Sequence, residues 1–278
     1  MTSCYRLILL TGLLLAGAAA GGAQIQVLAV ESATAKPGLP DAGSLATIYV
    51  TGLQGIQGVL TGSGVPLPTT LGGVRIAFGS VSAPLLAVVN IEDGGQSHQQ
   101  INFQVPYVRD GNPLVLQGSQ SAPIATSRGP WGQFFTTSFQ HASDYRPVTF
   151  SDPPKAGEWI IVYGTNFGEV VNPPDSGFPA PADRLVPVSP NLPGGQLPWN
   201  FRLRLDTVTS EIPLEFGFMG LAPGKVGVYQ INFRMPDPLP RGRAWIHLQR
   251  VGFCEIHKSA GCADNLEIDS TDWVLLYQ

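Results

Sequence analysis

The chain has 278 residues, of which 44% are hydrophobic and only 13% are charged, and its formal net charge at pH 7 is −4. This much apolar surface excludes a charge-rich disordered chain, the low charge excludes a coiled coil, and the negative balance argues against a nucleic-acid surface. The 33 glycines and 25 prolines lie among short apolar runs. That pattern predicts an all-β protein.

The N-terminus has the order of a secretory signal peptide. Arg6 precedes an apolar run at residues 7–15, and small residues continue from there to Ala23. This positive region, short apolar region and small-residue cleavage site predict a signal peptide over residues 1–23. The alternative is an uncleaved N-terminal anchor. We therefore expect a secreted protein of the periplasm, the cell surface or the extracellular space, with no membrane span after cleavage.

Cleavage would remove Cys4 and leave Cys254 and Cys262 as the two cysteines of an exported chain. Two cysteines in such a chain favour one disulfide, which would clip the last hairpin. The alternative is a metal site in which His257 joins the two thiols, although structural zinc usually takes four ligands.

The mature chain contains an internal repeat. A motif at residues 100–106 recurs 130 positions later, and residues 46–52 match residues 159–164 at an offset of 112. The difference leaves extra residues in the second copy, which we assign to a long surface loop over residues 172–196. The repeat motif comprises Gln100, Ile101, Asn102, Phe103 and Pro106 in the first copy, and Gln230, Ile231, Asn232, Phe233 and Pro236 in the second.

Apolar and polar residues alternate at period two in both copies of the motif, as in a half-buried strand. We therefore predict two tandem Ig-like β-sandwich domains, over residues 24–127 and 155–278, joined by a connecting segment at residues 128–154. Each repeat strand should be central in its sheet, with its isoleucine and phenylalanine buried. Tyr229 lies where an Ig-type tyrosine corner would be.

Several motifs occur in order along the chain. The first is PLPTTLGGV at residues 66–74, followed by QINFQVP at residues 100–106. In the second copy the motifs are at residues 144–145, 148–149, 154–158, 162–164, 177–181, 220–224 and 228–232. Together they resemble an uncharacterised C-terminal domain family of exported acidobacterial proteins. The resemblance implies tandem Ig-like or TIG-like β-sandwich modules. It implies no catalytic or cofactor-binding residue.

The familiar catalytic motifs are missing from the sequence, which contains no Gly-x-Ser-x-Gly elbow, no His-Glu-x-x-His and no Walker loop. We therefore predict no enzyme activity, no cofactor and no metal. His98, which follows Glu92 and Asp93, could be an oriented base, but a solvated loop histidine is the simpler interpretation. His141 lies beside Asp144 without a marked nucleophile. The acidic tail of Asp264, Glu267, Asp269 and Asp272 could bind calcium, or it could be a solvated strand edge.

Trp131 and Trp199 each follow a proline at a predicted loop or strand entry. An exposed indole is a flat, amphipathic surface suited to a sugar ring, although burial at a domain interface is the simpler interpretation. The sequence thus favours a non-catalytic exported interaction or structural module whose partner is a protein or polysaccharide at the cell exterior. The alternatives are a carbohydrate-binding protein that uses exposed tryptophan platforms and an extracellular hydrolase.

Overall fold

The computed structural model describes residues 24–93, 95–127, 129, 132–189, 200–240, 242–251 and 272–275. All regular secondary structure in these residues is β-strand, and every strand pairing is antiparallel. The predicted all-β class is confirmed. The signal peptide predicted at residues 1–23 lies outside the described residues.

The N-terminal half, residues 24–127, forms two sheets. Its strands are β1 (Gln26–Ser32), β2 (Leu45–Thr51), β3 (Val59–Thr61), β4 (Val74–Phe78), β5 (Val81–Ser82), β6 (Leu85–Asp93), β7 (Gln96–Gln104), β8 (Pro113–Gln117) and β9 (Gln120–Pro123). One sheet has the order β1-β2-β7-β6-β3, and the other has the order β5-β4-β8-β9.

The C-terminal half, which begins at residue 132, repeats this arrangement. Its strands are β10 (Gln133–His141), β11 (Trp159–Thr165), β12 (Asn200–Thr207), β13 (Glu211–Pro213), β14 (Glu215–Leu221), β15 (Tyr229–Arg234), β16 (Arg243–Val251) and β17 (Asp272–Leu275). The sheet orders β10-β11-β15-β14 and β13-β12-β16-β17 match those of the first half, apart from β3. Strand β10 lies inside the segment 128–154 that we expected to be only a connection.

The strand register corrects the offset between the two copies. Ile48 of β2 pairs with Ile101, whereas Val162 of β11 pairs with Ile231. Because the two repeat motifs differ by 130 positions, Ile48 and Val162 are equivalent, and the offset at this strand is 114 rather than 112. The sequence comparison aligned the glycines near the ends of the two strands. A glycine indicates a turn, but it does not determine which residues pair across the sheet.

The cores explain why the repeat motif is retained in both copies. Ile101, Phe103, Ile231 and Phe233 are all 0% exposed, and both repeat strands lie between two neighbours in their sheets. The predicted central position and burial are therefore confirmed. Alternate residues of a strand face opposite sides, so these four side chains enter the cores while their polar neighbours face outward. Burying each such side chain contributes about 1.5–3 kcal/mol.

The loop that follows β11 in the C-terminal half is hydrogen-bonded to the N-terminal half. The Gly177 amide donates to Oε1 of Gln104 (2.8 Å), and its carbonyl accepts from the Leu67 amide (2.9 Å). Gln104 is fully buried, and Val186 further along the loop is 1% exposed. The predicted surface loop over residues 172–196 is confirmed in part, because its described residues are mostly exposed or half-buried, but Gly177, Ala180, Val186 and Val188 are buried. Proline and glycine mark irregular backbone there, but irregular backbone can also be buried when its polar groups are paired.

A close approach at Gly43 strengthens the contact between the halves. Gly43 has a φ of +81°, and a Cβ atom there would lie 2.7 Å from Cζ of Tyr107. The Tyr107 ring packs against the core of the C-terminal half, where burial raises the pKa of its hydroxyl. Nearby, the Leu45 amide donates to Oγ1 of Thr165 (3.1 Å). The two halves thus share buried polar and apolar contacts.

Tyr229 does not form the predicted tyrosine corner. Its side chain is 0% exposed, and its hydroxyl donates to the Gly168 carbonyl at 2.6 Å. In an Ig-type corner the acceptor lies a few residues upstream in the same connection. Gly168 instead follows β11, so Tyr229 anchors a distant loop. Burial is the largest cause that raises the pKa of this hydroxyl.

Candidate functional site

The most accessible aromatic platform on a described sheet face is Trp159, at the start of β11. A Cβ atom added to Gly217 would lie 2.6 Å from Cζ3 of Trp159. Gly217 is on β14, two strands away, so the indole extends across β15 along the outer surface of the sheet. The register of β14 shifts between Phe216 and Phe218, which places Gly217 in a bulge. Glycine permits this contact because any side chain would collide with the indole.

Trp159 remains 38% exposed despite this contact. The atoms of the ring nearest to Gly217 are Cζ3 and Cη2, at the tip of the six-membered ring. Phe218 has a similar arrangement, since a Cβ atom at Gly220 would lie 2.6 Å from Cζ of Phe218. An aromatic ring thus lies close to each of these two glycines of β14, and at Gly220 the backbone of Val186 and Pro187 is also in contact.

Arg234 flanks the indole. It is the cross-strand partner of both Trp159 and Glu215. Its Nε donates to the Gly157 carbonyl (2.8 Å), and its Nη1 lies 3.4 Å from Oε2 of Glu215. The guanidinium is thus held on two sides while 49% of its side chain is exposed. We refer to Trp159, Gly217, Arg234 and Glu215 as the Trp159 shelf.

A cleft of about 410 Å³ adjoins the Trp159 shelf. This volume is within the range of small-ligand sites. Its lining residues are Gly157, Pro213, Glu215, Arg234, Met235, Pro236 and Asp237. Arg234 and Glu215 belong to both the shelf and the cleft, so the ion pair connects the two.

The polar side of the repeat motif forms a row of amides next to the shelf. The Gln230 amide nitrogen donates to Oδ1 of Asn232 at 2.8 Å. Gln100 and Asn102 repeat this bond at the same distance in the N-terminal half. Gln230 also lies opposite Tyr163, whose pKa is raised by burial. The motif therefore has an inner apolar role and an outer hydrogen-bonding role.

His141 is not available as a catalytic base. Its ring is 2% exposed, with Nδ1 2.7 Å from Oε1 of Glu158 and Nε2 3.2 Å from the Asp152 carbonyl. Asp144, which the sequence placed beside it, instead accepts a hydrogen bond from Arg146 at 2.7 Å. His141 therefore holds the connection between β10 and β11, with both ring nitrogens engaged.

The other sequence candidates are not brought together at the shelf. His98 packs against Tyr49, with ring centroids 6.1 Å apart, and its cross-strand partner is Ile91. Glu92 lies opposite Ser97, and Asp93 lies opposite Gln96. Trp131, Trp199, Cys254, Cys262, His257, Asp264, Glu267 and Asp269 lie outside the described residues. Within the part of the chain that the structure describes, no group of three or more His, Cys, Asp or Glu side chains could hold a metal ion.

Sequence reasoning missed Trp159 because it was counted as part of a strand. The signal was available in the second copy as the segment Phe216-Gly217-Phe218-Met219-Gly220, in which two glycines interrupt a strand. A glycine inside a strand often marks a bulge or a close approach of another group. The pairing of Gly217 with Trp159 depends on the sheet order, and the sequence does not contain that order.

Comparison with family models, with characterised proteins and with solved structures finds no match to this chain. The described residues include no helix of the length and apolarity needed to cross a membrane. The chemistry of the Trp159 shelf is therefore the basis for a functional assignment.

Proposed function

We propose that this chain is a non-catalytic interaction protein of the cell exterior, built as two tandem Ig-like β-sandwich domains. The proposal includes the signal peptide at residues 1–23 and a disulfide between Cys254 and Cys262. The observation that carries it is the Trp159 shelf, where a large aromatic ring and a fixed guanidinium remain exposed. Tryptophan and arginine are enriched where binding energy is concentrated.

The structure around the Trp159 shelf is better suited to binding a ligand than to catalysing a reaction. The shelf lies on paired strands and not on a loop, so its ring and guanidinium are held in position before a ligand arrives. Such preorganisation reduces the entropy lost on binding. The buried ring of His141 is hydrogen-bonded to Glu158 and Asp152, and His141 does not line the cleft.

Co-sedimentation tests this proposal. The purified full chain is mixed with the insoluble cell-envelope fraction of the source cells, and the bound fraction is measured against protein concentration. Trp159→Ala should weaken binding about tenfold or more, because most of the aromatic contact is lost. Phe178→Ala is the matched control, since Phe178 is also 38% exposed but lies in the loop between the halves. Equal binding by wild type and Trp159→Ala would contradict the proposal.

Signal-peptide cleavage and the disulfide are tested separately from binding. The intact mass of protein recovered from the culture medium or periplasm should correspond to a chain that begins after residue 23, and thiol labelling without reductant should modify neither Cys254 nor Cys262. Recovery of a chain that retains Met1, or labelling of both cysteines, would contradict the corresponding part of the proposal.

A further inference from the structure

We infer that the Trp159 shelf binds a neutral polysaccharide chain, with one sugar ring stacked on the Trp159 indole and its hydroxyls bonded to the neighbouring polar groups. This inference rests on the proposed function and names the class of ligand for the same surface. It follows from the shape of the aromatic surface, the charge balance around it and the hydrogen-bonding groups beside it.

The shape of the aromatic surface favours a sugar ring. The indole reaches across the sheet to Gly217, where a Cβ atom would lie 2.6 Å from Cζ3, and 38% of Trp159 remains exposed. A pyranose has a flat face of C–H groups of similar width, and aromatic rings pack well against such apolar, weakly positive surfaces.

The charge balance favours a neutral ligand. Arg234 is the cross-strand partner of Trp159, and its Nη1 already faces Glu215 at 3.4 Å, while Asp237 lines the same cleft. A bound anion would have to compete with Glu215 for the guanidinium and would approach Asp237 as well. Like charges in such proximity oppose binding. A neutral polyol meets no such opposition.

The polar groups beside the ring suit hydroxyls. The guanidinium donates, the Glu215 and Asp237 carboxylates accept, and the Asn232 amide on the same strand face as Arg234 can do both. Hydroxyl groups are both donors and acceptors, so a sugar can pair with each type at once. The adjoining cleft of about 410 Å³ gives space for substituents of the stacked ring or for the next sugar.

A second copy of this chain is a poorer occupant. In the N-terminal half the equivalent corner is covered by the loop that carries Gly177, which donates to Gln104 and accepts from Leu67. Each chain has one such loop, and its own N-terminal half already holds it. Docking that loop on another chain's shelf would break buried hydrogen bonds, at a cost of about 1–3 kcal/mol for each group left unpaired.

Affinity gel electrophoresis of the purified full chain tests the inference. The probes are three neutral soluble polysaccharides, hydroxyethyl cellulose, arabinoxylan and galactomannan, and one polyanion, polygalacturonate. At least one neutral polysaccharide should retard the wild type, and polygalacturonate should retard it less. Trp159→Ala should raise the apparent dissociation constant about tenfold or more, Trp159→Phe should keep part of the affinity, and Phe178→Ala should keep all of it.

The inference and the proposed function fail in different ways. If none of the neutral polysaccharides retards the chain, or if polygalacturonate binds best, the ligand class is wrong. The proposed function still stands in that case, provided that Trp159→Ala loses binding to the envelope fraction. Retardation that is unchanged by Trp159→Ala overturns the shelf as the site. A dimer in sedimentation velocity that disappears in Trp159→Ala would show that a second chain is the occupant, and would also overturn the inference.

Discussion

The same corner of the sheet is closed in the N-terminal half and open in the C-terminal half. Leu45 pairs with Gln104 across β2 and β7, and Trp159 pairs with Arg234 across β11 and β15. The two pairs are equivalent by register. Gln104 is 0% exposed beneath the loop with Gly177, and Leu45 is 9% exposed because Gly227 of the C-terminal half packs against it. Trp159 and Arg234 are covered by no such loop in the described part of the chain.

This difference explains the change in side chains. A buried corner favours an aliphatic side chain such as that of Leu45. It also favours an amide such as that of Gln104, whose nitrogen and oxygen each pair with a backbone group, since buried polar groups must be hydrogen-bonded. An open corner has no such requirement. Tryptophan and arginine can both stand at an exposed corner, because each has a large apolar body and a polar end that water can solvate. The comparison thus separates a position that maintains the fold from one that is available for binding.

Loss of the equivalent core rings should have the largest effect. Phe103→Ala and Phe233→Ala each remove a fully buried ring of the repeat motif. We expect each to lower the free energy of unfolding by about 3–5 kcal/mol, through lost burial and the cavity that remains. Equilibrium unfolding in guanidinium chloride measures both. A loss below about 1 kcal/mol in only one of them would show that the halves are not equivalent in packing.

The next largest difference in stability is expected at the C-terminal ends of β1 and β10, the first strands of the two halves. His141 at the end of β10 is equivalent to Ser32 at the end of β1, and both are buried polar residues that fasten the following connection. His141→Ala should cost about 3 kcal/mol, because Glu158 loses its buried partner. Ser32→Ala should cost only about 1 kcal/mol, because Oγ of Ser32 bonds mainly to the Thr34 hydroxyl. Thermal unfolding of the two variants tests this order.

Two exposed carboxylates should differ in their response to salt. A side-chain hydrogen bond from Arg146 lowers the pKa of Asp144, whereas a side-chain hydrogen bond from Ser80 lowers the pKa of Asp110. Each therefore contributes stability above its unfolded pKa, and that contribution is lost as pH falls through the folded pKa. Salt screens the charged pair, so added salt should raise the pKa of Asp144 toward its usual value and leave that of Asp110 nearly unchanged. Carboxyl NMR titrations at low and high ionic strength measure both, and equal shifts would contradict this assignment.

The sequence predicts the strands in which apolar and polar residues alternate better than it predicts contacts between distant segments. Alternation in the repeat motif correctly places Ile101 and Phe233 in central strands, because burial acts directly on that pattern. The loop with Gly177 was assigned to the surface, since proline and glycine indicate irregular backbone without indicating what covers it. Trp159 was missed for a related reason: its partner Gly217 is 58 positions away and is brought near by sheet order alone.

The measurement that tests the central comparison most directly is equilibrium unfolding of Gln104→Ala and Arg234→Ala, two substitutions at equivalent positions. Gln104→Ala should lower the free energy of unfolding by about 1–3 kcal/mol, because the Gly177 amide and the Gly43 carbonyl both lose a buried partner. Arg234→Ala should lower it by less than about 1 kcal/mol, because its pair with Glu215 is exposed. Equal losses would contradict the account, since they would show that the corner has the same structural role in both halves.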